Sequence, residues 1–257
     1  MIIYNILLSL LLFIYGITLG SFFNVVGLRV PISKSIVVPR SACPNCGHQL
    51  KVYELIPVIS YLLQKGKCRG CKSRISPIYP TFELLTGLLF MTAPLIIGWS
   101  GELVVALTLI SLFMIITVSD IHYMIIPDKI LIWFAGFFLL ERIIWPLTPW
   151  WDSLLGSVSG FALLLMIALV SKGGMGFGDV KLYALLGFVL GFKLVLISFF
   201  VSTLYGAVIG ILALLFRIVK RRQPIPFVPF ITAGTLTAYY WGSKIIELYL
   251  QFLHQGF

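Results

Sequence analysis

Long apolar runs separated by short polar connections dominate the chain. Eight stand out, over about 2–26, 82–98, 102–119, 129–146, 153–171, 180–192, 194–216 and 226–250. Within them the apolar residues are continuous rather than striped, the pattern of helices with apolar surroundings on every side. Most approach the roughly 20 residues that a helix needs to cross a bilayer. The sixth is short and the seventh follows almost at once, so their boundary is soft. The first run, Met1 to Val26, has no Lys or Arg ahead of it and no convincing small-residue cleavage site. It reads as a transmembrane helix and not as a removable signal peptide. One longer polar stretch, Gly27 to Pro80, separates the first run from the second and holds all four cysteines. The expected fold is an all-α polytopic membrane protein of about eight transmembrane helices. Its parts are a first helix over 1–26, a four-cysteine domain over 27–80 and a membrane-embedded domain over 81–257.

Composition agrees with this pattern and charge orients it. Only 11% of residues are charged and 60% are hydrophobic, against about 25% charged in soluble domains. The net charge of +10 would suit a phosphate-binding protein, but its distribution follows topology. If 27–80 is cytoplasmic, alternation places the connections near 120–128, 172–181 and 217–225 on the same side. All nineteen Lys and Arg except Arg142, Lys193 and Lys244 then fall in or beside cytoplasmic segments, as the positive-inside rule requires. Both termini are expected outside. No nucleic-acid partner is needed to explain the charge; the run Lys220-Arg221-Arg222 is a topology determinant that can also attract anionic lipid. Trp99, Trp145, Trp150 and Trp151 lie near the expected outer boundary, where indoles anchor.

The polar stretch contains Cys43-Pro44-Asn45-Cys46 and Cys68-Arg69-Gly70-Cys71. Each C-x-x-C turn presents two thiolates on one side, and four complete the tetrahedron that zinc prefers. Cytoplasmic thiols stay reduced, which favours a metal over disulfides. Four thiolates leave zinc no open position, so the expected role is a structural clamp, with His48 a neighbour and not a ligand. Gly47 and Gly70 are expected to supply permissive backbone to the knuckles.

Only nine acidic residues are present, and two of them fall at matching depths. Asp120 closes the third run, and Asp179 opens the sixth behind a glycine-rich turn with glycines at 174, 176 and 178. Carboxylates at a membrane boundary are functional candidates by default. Two that approach each other share one proton, so one can activate water while the other protonates a carbonyl oxygen. Helix capping is the plainer role for a boundary carboxylate, and it is the expectation for Asp128 in the Pro127-Asp128 turn.

At these residues a family pattern emerges. Gly176-Phe177-Gly178-Asp179 resembles the GxGD signature of membrane aspartic proteases. Gly20-Ser21-Phe22-Phe23-Asn24-Val25-Val26 with Arg29 and Pro31, the two cysteine knuckles, Tyr79-Pro80-Thr81-Phe82-Glu83, and Asp120 with Ile126-Pro127-Asp128 follow one another over roughly residues 16–187. In that order they resemble bacterial type IV prepilin peptidases. The resemblance implies a bifunctional enzyme of the bacterial inner membrane. It would cut the leader from type IV prepilins or pseudopilins after a glycine, then methylate the new amine with S-adenosylmethionine. It implies Asp120 and Asp179 as the catalytic pair, supported by Gly176 and Gly178. Gly20, Asn24, Arg29 and Glu83 occupy the matching methyltransferase or substrate positions; pairing of Glu83 with Arg29 or Arg74 is the plainer alternative. One position departs from the pattern. Ile78 stands where many members have arginine, and it cannot replace a bidentate guanidinium contact.

A transporter or membrane scaffold with a structural zinc domain is the competing class. It would need polar groups at mid-depth in several spans. The runs offer mostly hydroxyls such as Thr86, Thr108, Ser111 and Ser159, which also serve ordinary helix packing.

Overall fold

The computed structural model describes residues 2–171, 175–219 and 224–255. Nearly all of the regular structure is helical. Uninterrupted Leu, Ile, Val and Phe runs give α1 (Ile2–Arg29), α3 (Ile78–Ile97), α4 (Gly101–Tyr123), α5 (Asp128–Ile144), α6 (Asp152–Val170), α7 (Phe177–Leu190), α8 (Phe192–Leu215) and α9 (Val228–Gln255). A short helix, α2 (Ile59–Leu63), lies within the cysteine-bearing stretch. The eight long helices coincide with the eight apolar runs, but among the described residues five are long and apolar enough to cross a membrane: α1, α3, α4, α6 and α8. The 14 residues of α7 extend about 21 Å, short of the roughly 30 Å hydrocarbon layer. The 17 residues of α5 carry Asp128, Lys129, Glu141 and Arg142 at their ends. The basic run Lys220-Arg221-Arg222 and Gly174 lie outside the described residues.

The chain forms two compact units, divided between Tyr123 and Met124. In the first, α1 packs along α3 through small residues. A Cβ on Gly16 would stand 2.9 Å from Gly87 Cα, and one on Gly20 would stand 2.9 Å from Glu83 Cα. In hydrocarbon such backbone approach supplies the van der Waals contact that holds helices together. The run Leu112 to Asp120 of α4 is buried at every position, so this helix is enclosed and not lipid-facing. By contrast α1 exposes Ile3, Leu7, Leu11 and Ile14, a surface suited to acyl chains.

In the second unit, α6 and α7 meet at Gly156 and Gly187, whose backbones touch, and at Gly160 against the Tyr183 carbonyl. Gly191 joins α7 directly to α8 with φ +79°, a conformation that L side chains rarely adopt. Its place also leaves room for Asp152, whose Oδ1 accepts the first amide of α8 from Phe192 at 3.3 Å. Arg142 is buried and donates from Nε and Nη2 to the Val189 carbonyl, at 3.1 and 2.6 Å. A cation at the carbonyl end of α7 complements the helix dipole. Between α8 and α9, the Ser198 and Thr235 hydroxyls bond at 2.7 Å in a buried setting.

Two substitutions separate packing from composition. Gly187→Val forces a side chain into the Gly156 backbone and is expected to cost about 1–3 kcal/mol, lowering the melting temperature of the detergent-purified protein. Gly136→Ala, in α5 with open space around it, is expected to be neutral or to stabilise by up to about 1 kcal/mol.

Candidate functional site

The four cysteines converge. All four Sγ atoms lie within 4.8 Å of one another, with Cys43–Cys71 at 3.8 Å and Cys46–Cys68 at 3.9 Å. A tetrahedral zinc with bonds of about 2.3 Å separates its sulfurs by about 3.8 Å, so the donor set fits that metal. The two knuckles repeat one design. Cys43 N–H donates to the His48 carbonyl and Cys68 N–H to the Ser73 carbonyl, each at 2.9 Å. Backbone amides of Asn45 and Cys46, with the Ser73 hydroxyl, bring the Cys43 thiol down to about 6, while the neighbouring sulfurs Cys71, Cys43 and Cys68 push Cys46 up to about 11, so Cys43 is the readier thiolate of the first knuckle.

The repeat corrects one expectation. Gly47 takes the left-handed backbone of the first knuckle at φ +71°, but the matching position of the second is Lys72, at φ +60°. Gly70 instead sits where a Cβ would be 3.4 Å from Cys46 Sγ, so its role is size beside the sulfurs and not positive φ.

His48 stands outside the ligand set. Its Nε2 lies 3.2 Å from Glu54 Oε2, which also accepts the Lys51 amide at 2.9 Å. That amide and then His48 and Arg69 hold the buried Glu54 carboxyl below its ordinary range. A depressed carboxyl stabilises the fold fully at neutral pH and loses that contribution as pH falls through its folded value.

Three of the four methyltransferase candidates come together between α1 and α3. Asn24 is buried and donates from Nδ2 to the Tyr79 carbonyl at 3.2 Å, while its Oδ1 has no partner among the described residues. One turn further along α3, Glu83 lies against Gly20 and accepts the Val58 amide at 2.7 Å. The structure therefore corrects the ion-pair alternative: Glu83 meets the Val58 amide of the cysteine domain and the Ser21 hydroxyl of α1 and pairs with neither Arg29 nor Arg74 among the described residues, and Arg29 caps the Ser35 carbonyl at 2.9 Å. Val58 itself has φ +60°, an outlier for a β-branched residue, held in place by that carboxylate.

Each boundary aspartate is set by its own helix. Asp120 is buried one turn before the end of α4, and Tyr123 in that last turn donates to the Leu28 carbonyl of α1 at 3.0 Å. Asp179 lies in the first turn of α7 behind Gly176, and its amide closes that turn on the Gly176 carbonyl at 3.1 Å. A Cβ on Gly176 would reach 3.7 Å from Asp179 Oδ2, and one on Gly178 would press to 3.1 Å from Ile126 Cβ. Gly176 stands in contact distance of the carboxylate, and Gly178 lets the Ile126-Pro127-Asp128 turn close on the start of α7. Asp128 corrects its expectation as a cap: both its oxygens accept the Lys181 ammonium, at 2.8 and 2.7 Å, tying α5 to α7. An apolar groove of ≈ 560 Å³ runs from this ion pair past Leu131, Ala135, Ala184 and Phe188; Asp179 does not line it. Thr86, Ser111 and Ser159 bond to carbonyls of their own helices at 2.6, 2.7 and 2.9 Å. They present no mid-span constellation of free polar groups.

Nothing in composition signalled Arg142 at Val189 or Val58 at Glu83, because both are contacts between side chain and distant backbone. The family model described as the bacterial peptidase A24 N-terminal domain matches residues 14–97, and that of the type IV leader peptidase family matches 107–211. The chain is 48% identical over 241 residues to a Bacillus subtilis protein named prepilin leader peptidase/N-methyltransferase, covering 94% of this chain and 97% of that one. Proteins of the same name from Aeromonas salmonicida and Pseudomonas aeruginosa are 34% and 31% identical, over 93% and 92% of this chain and 93% and 91% of theirs. No solved structure matches.

Purified protein is expected to carry one zinc per chain by elemental analysis. Cys68→Ser should release it and make the 41–75 segment proteolytically labile, since metal-binding energy is folding energy in such domains.

Proposed function

The chain belongs to the type IV leader peptidase family, and we propose that it cleaves the leader from type IV prepilin or pseudopilin precursors with Asp120 and Asp179 as its catalytic pair. The observation that carries this reading is Asp179 in the first turn of α7, directly behind Gly176 and Gly178, in a chain matched along both its units by the family's domains. Five helices long and apolar enough to cross a membrane, among the described residues, together with the family support a multi-pass protein of the inner membrane, and the basic residues between 27 and 80 support an external N-terminus and a cytoplasmic four-cysteine domain.

The chemistry follows from two carboxyls sharing one proton. The partial positive charge at the N-terminus of α7 suits an anion, so Asp179 takes the proton from the attacking water. Asp120, buried near the carbonyl end of α4, keeps the shared proton and delivers it to the peptide carbonyl. The tetrahedral intermediate then collapses: the proton gained by Asp179 passes to the leaving amine, the C–N bond breaks, and a hydroxyl of the intermediate returns its proton to Asp120 as the new carboxyl forms. Cys43, Cys46, Cys68 and Cys71 would hold a zinc with no open position, so it would take no part in the cleavage and would stabilise the domain.

For the second activity, S-adenosylmethionine would supply a methyl group to the new N-terminal amine. The unpartnered Asn24 Oδ1 and the Glu83 carboxylate are acceptors, which suit an amine or a sulfonium charge and not an anion. Gly20 keeps α1 close enough to α3 for both to face one site, and Arg29 fixes the chain leaving α1.

Co-expression with a pilin precursor, read by intact mass, tests both activities. Asp120→Asn and Asp179→Asn should each reduce leader removal by at least about a hundredfold while the protein still accumulates; normal cleavage by either variant would refute the pair. Glu83→Gln retains an acceptor for Val58 and should leave cleavage intact while the methylated product disappears. Full methylation by that variant would exclude Glu83 from the second site.

A further inference from the structure

The cysteine domain exposes an apolar surface beside a cationic one, at the level where α3 enters the membrane. Val52, Ile59, Leu62 and Leu63 are 84%, 55%, 66% and 74% exposed, a concentration of bare aliphatic surface that water does not favour. Immediately after it, Leu63, Gln64, Lys65, Lys67, Arg69 and Lys72 line a groove of ≈ 550 Å³. Lys65, Lys67 and Lys72 are exposed and form no ion pair among the described residues. Lys65 and Lys72 both have left-handed backbone, at φ +51° and +60°, so turn geometry and not chance rotamers sets where they leave the chain. Between residues 27 and 80 nine cations face one carboxylate, Glu54, which is itself buried.

Depth decides what this surface meets. Val58, just before α2, donates its amide to Glu83, which stands five residues beyond the start of α3 at Ile78. That is about 8 Å along a helix that crosses the membrane. The loop carrying Val52 to Leu63 is therefore pinned near headgroup level and not held out in solvent. Tyr53 lies in the same loop with the Arg69 guanidinium 4.8 Å over its ring, a pairing of aromatic body and cationic rim suited to the interface.

We propose that residues 52–63, with Lys65, Lys67 and Lys72, form an interfacial anchor that seats the four-cysteine domain on anionic phospholipid, the aliphatic side chains entering the acyl boundary and the lysines binding headgroup phosphate. An apolar face with a cationic rim is the combination that anionic bilayer surfaces bind. Seating the domain fixes Val58, and through it the Glu83 carboxylate, so lipid charge would bear on the α1–α3 site.

The test uses the full-length zinc-loaded protein in phosphatidylcholine nanodiscs, with or without phosphatidylglycerol at about 30%. Amide exchange of residues 52–67 is expected to be about tenfold slower in the anionic discs, a fraction of the on-the-order-of-hundredfold bias that three interfacial lysines can supply. The Lys65→Gln, Lys67→Gln, Lys72→Gln variant should lose that difference, and Leu62→Ser with Leu63→Ser should lose it independently; retained zinc shows that either variant is folded. A benzophenone amino acid at Leu63 should cross-link to phospholipid. Equal exchange in the two discs with no lipid adduct would overturn the proposal. So would equal slowing by inorganic phosphate in neutral discs, which would make the groove a soluble-anion site. Slowing only on addition of a pilin precursor would also overturn it, assigning the surface to a peptide.

Discussion

Helices surrounded by hydrocarbon gain little by hiding apolar surface from each other, because lipid is as apolar as leucine. What holds them must come from close backbone approach and from polar groups satisfied inside the protein. Both units of this chain are built on that constraint. Gly16, Gly20 and Gly87 bring α1 onto α3, and Gly156, Gly160 and Gly187 bring α6 onto α7. The functional candidates sit on these same seams. Glu83 and Asn24 face the α1–α3 contact, and α7, whose first turn carries Asp179, is held by α6 along its glycines and by Arg142 at its far end.

The second constraint is electrostatic. A charge near a bilayer persists only where something answers it, and four boundary charges show specific answers. Arg142 meets the carbonyl end of α7, Asp152 the first amide of α8, Asp128 the ammonium of Lys181, and Glu83 the amide of Val58. Three of these are contacts to backbone, so they fix where elements begin and end as well as neutralising charge. In the Glu83 case the contact couples a membrane helix to the four-cysteine domain, whose strained Val58 would relax if the carboxylate were lost.

The cysteine domain has little core of its own, and its order rests on the four-sulfur cluster and on buried Glu54. Its two knuckles are near repeats, yet the left-handed position is glycine in one and lysine in the other. Non-glycine residues hold that conformation at a cost of about 1–2 kcal/mol, which metal ligation by the four sulfurs would readily offset. The lysine then projects from a fixed point on the domain surface.

Much of this protein is legible in one dimension. Bilayer thickness and backbone hydrogen bonding force long apolar runs to be helices, so the position of every long helix followed from hydropathy. The spacing of Cys43, Cys46, Cys68 and Cys71 likewise announced their convergence, since tetrahedral ligation has few solutions. The motif residues Gly176, Gly178 and Asp179 stood out because glycines beside a lone acid at a helix start are locally unusual. Hydropathy could not distinguish a helix facing lipid from one enclosed by protein: α1 and α4 read alike, yet one is bare and the other buried. Nor could it assign partners. Asp128 looked like a cap and is an ion pair; Glu83 looked ready for arginine and holds an amide. Such contacts join residues tens of positions apart, and local propensity carries no information about them. Tertiary structure decided them, because a buried polar group takes whichever partner the packing of the helices brings within reach.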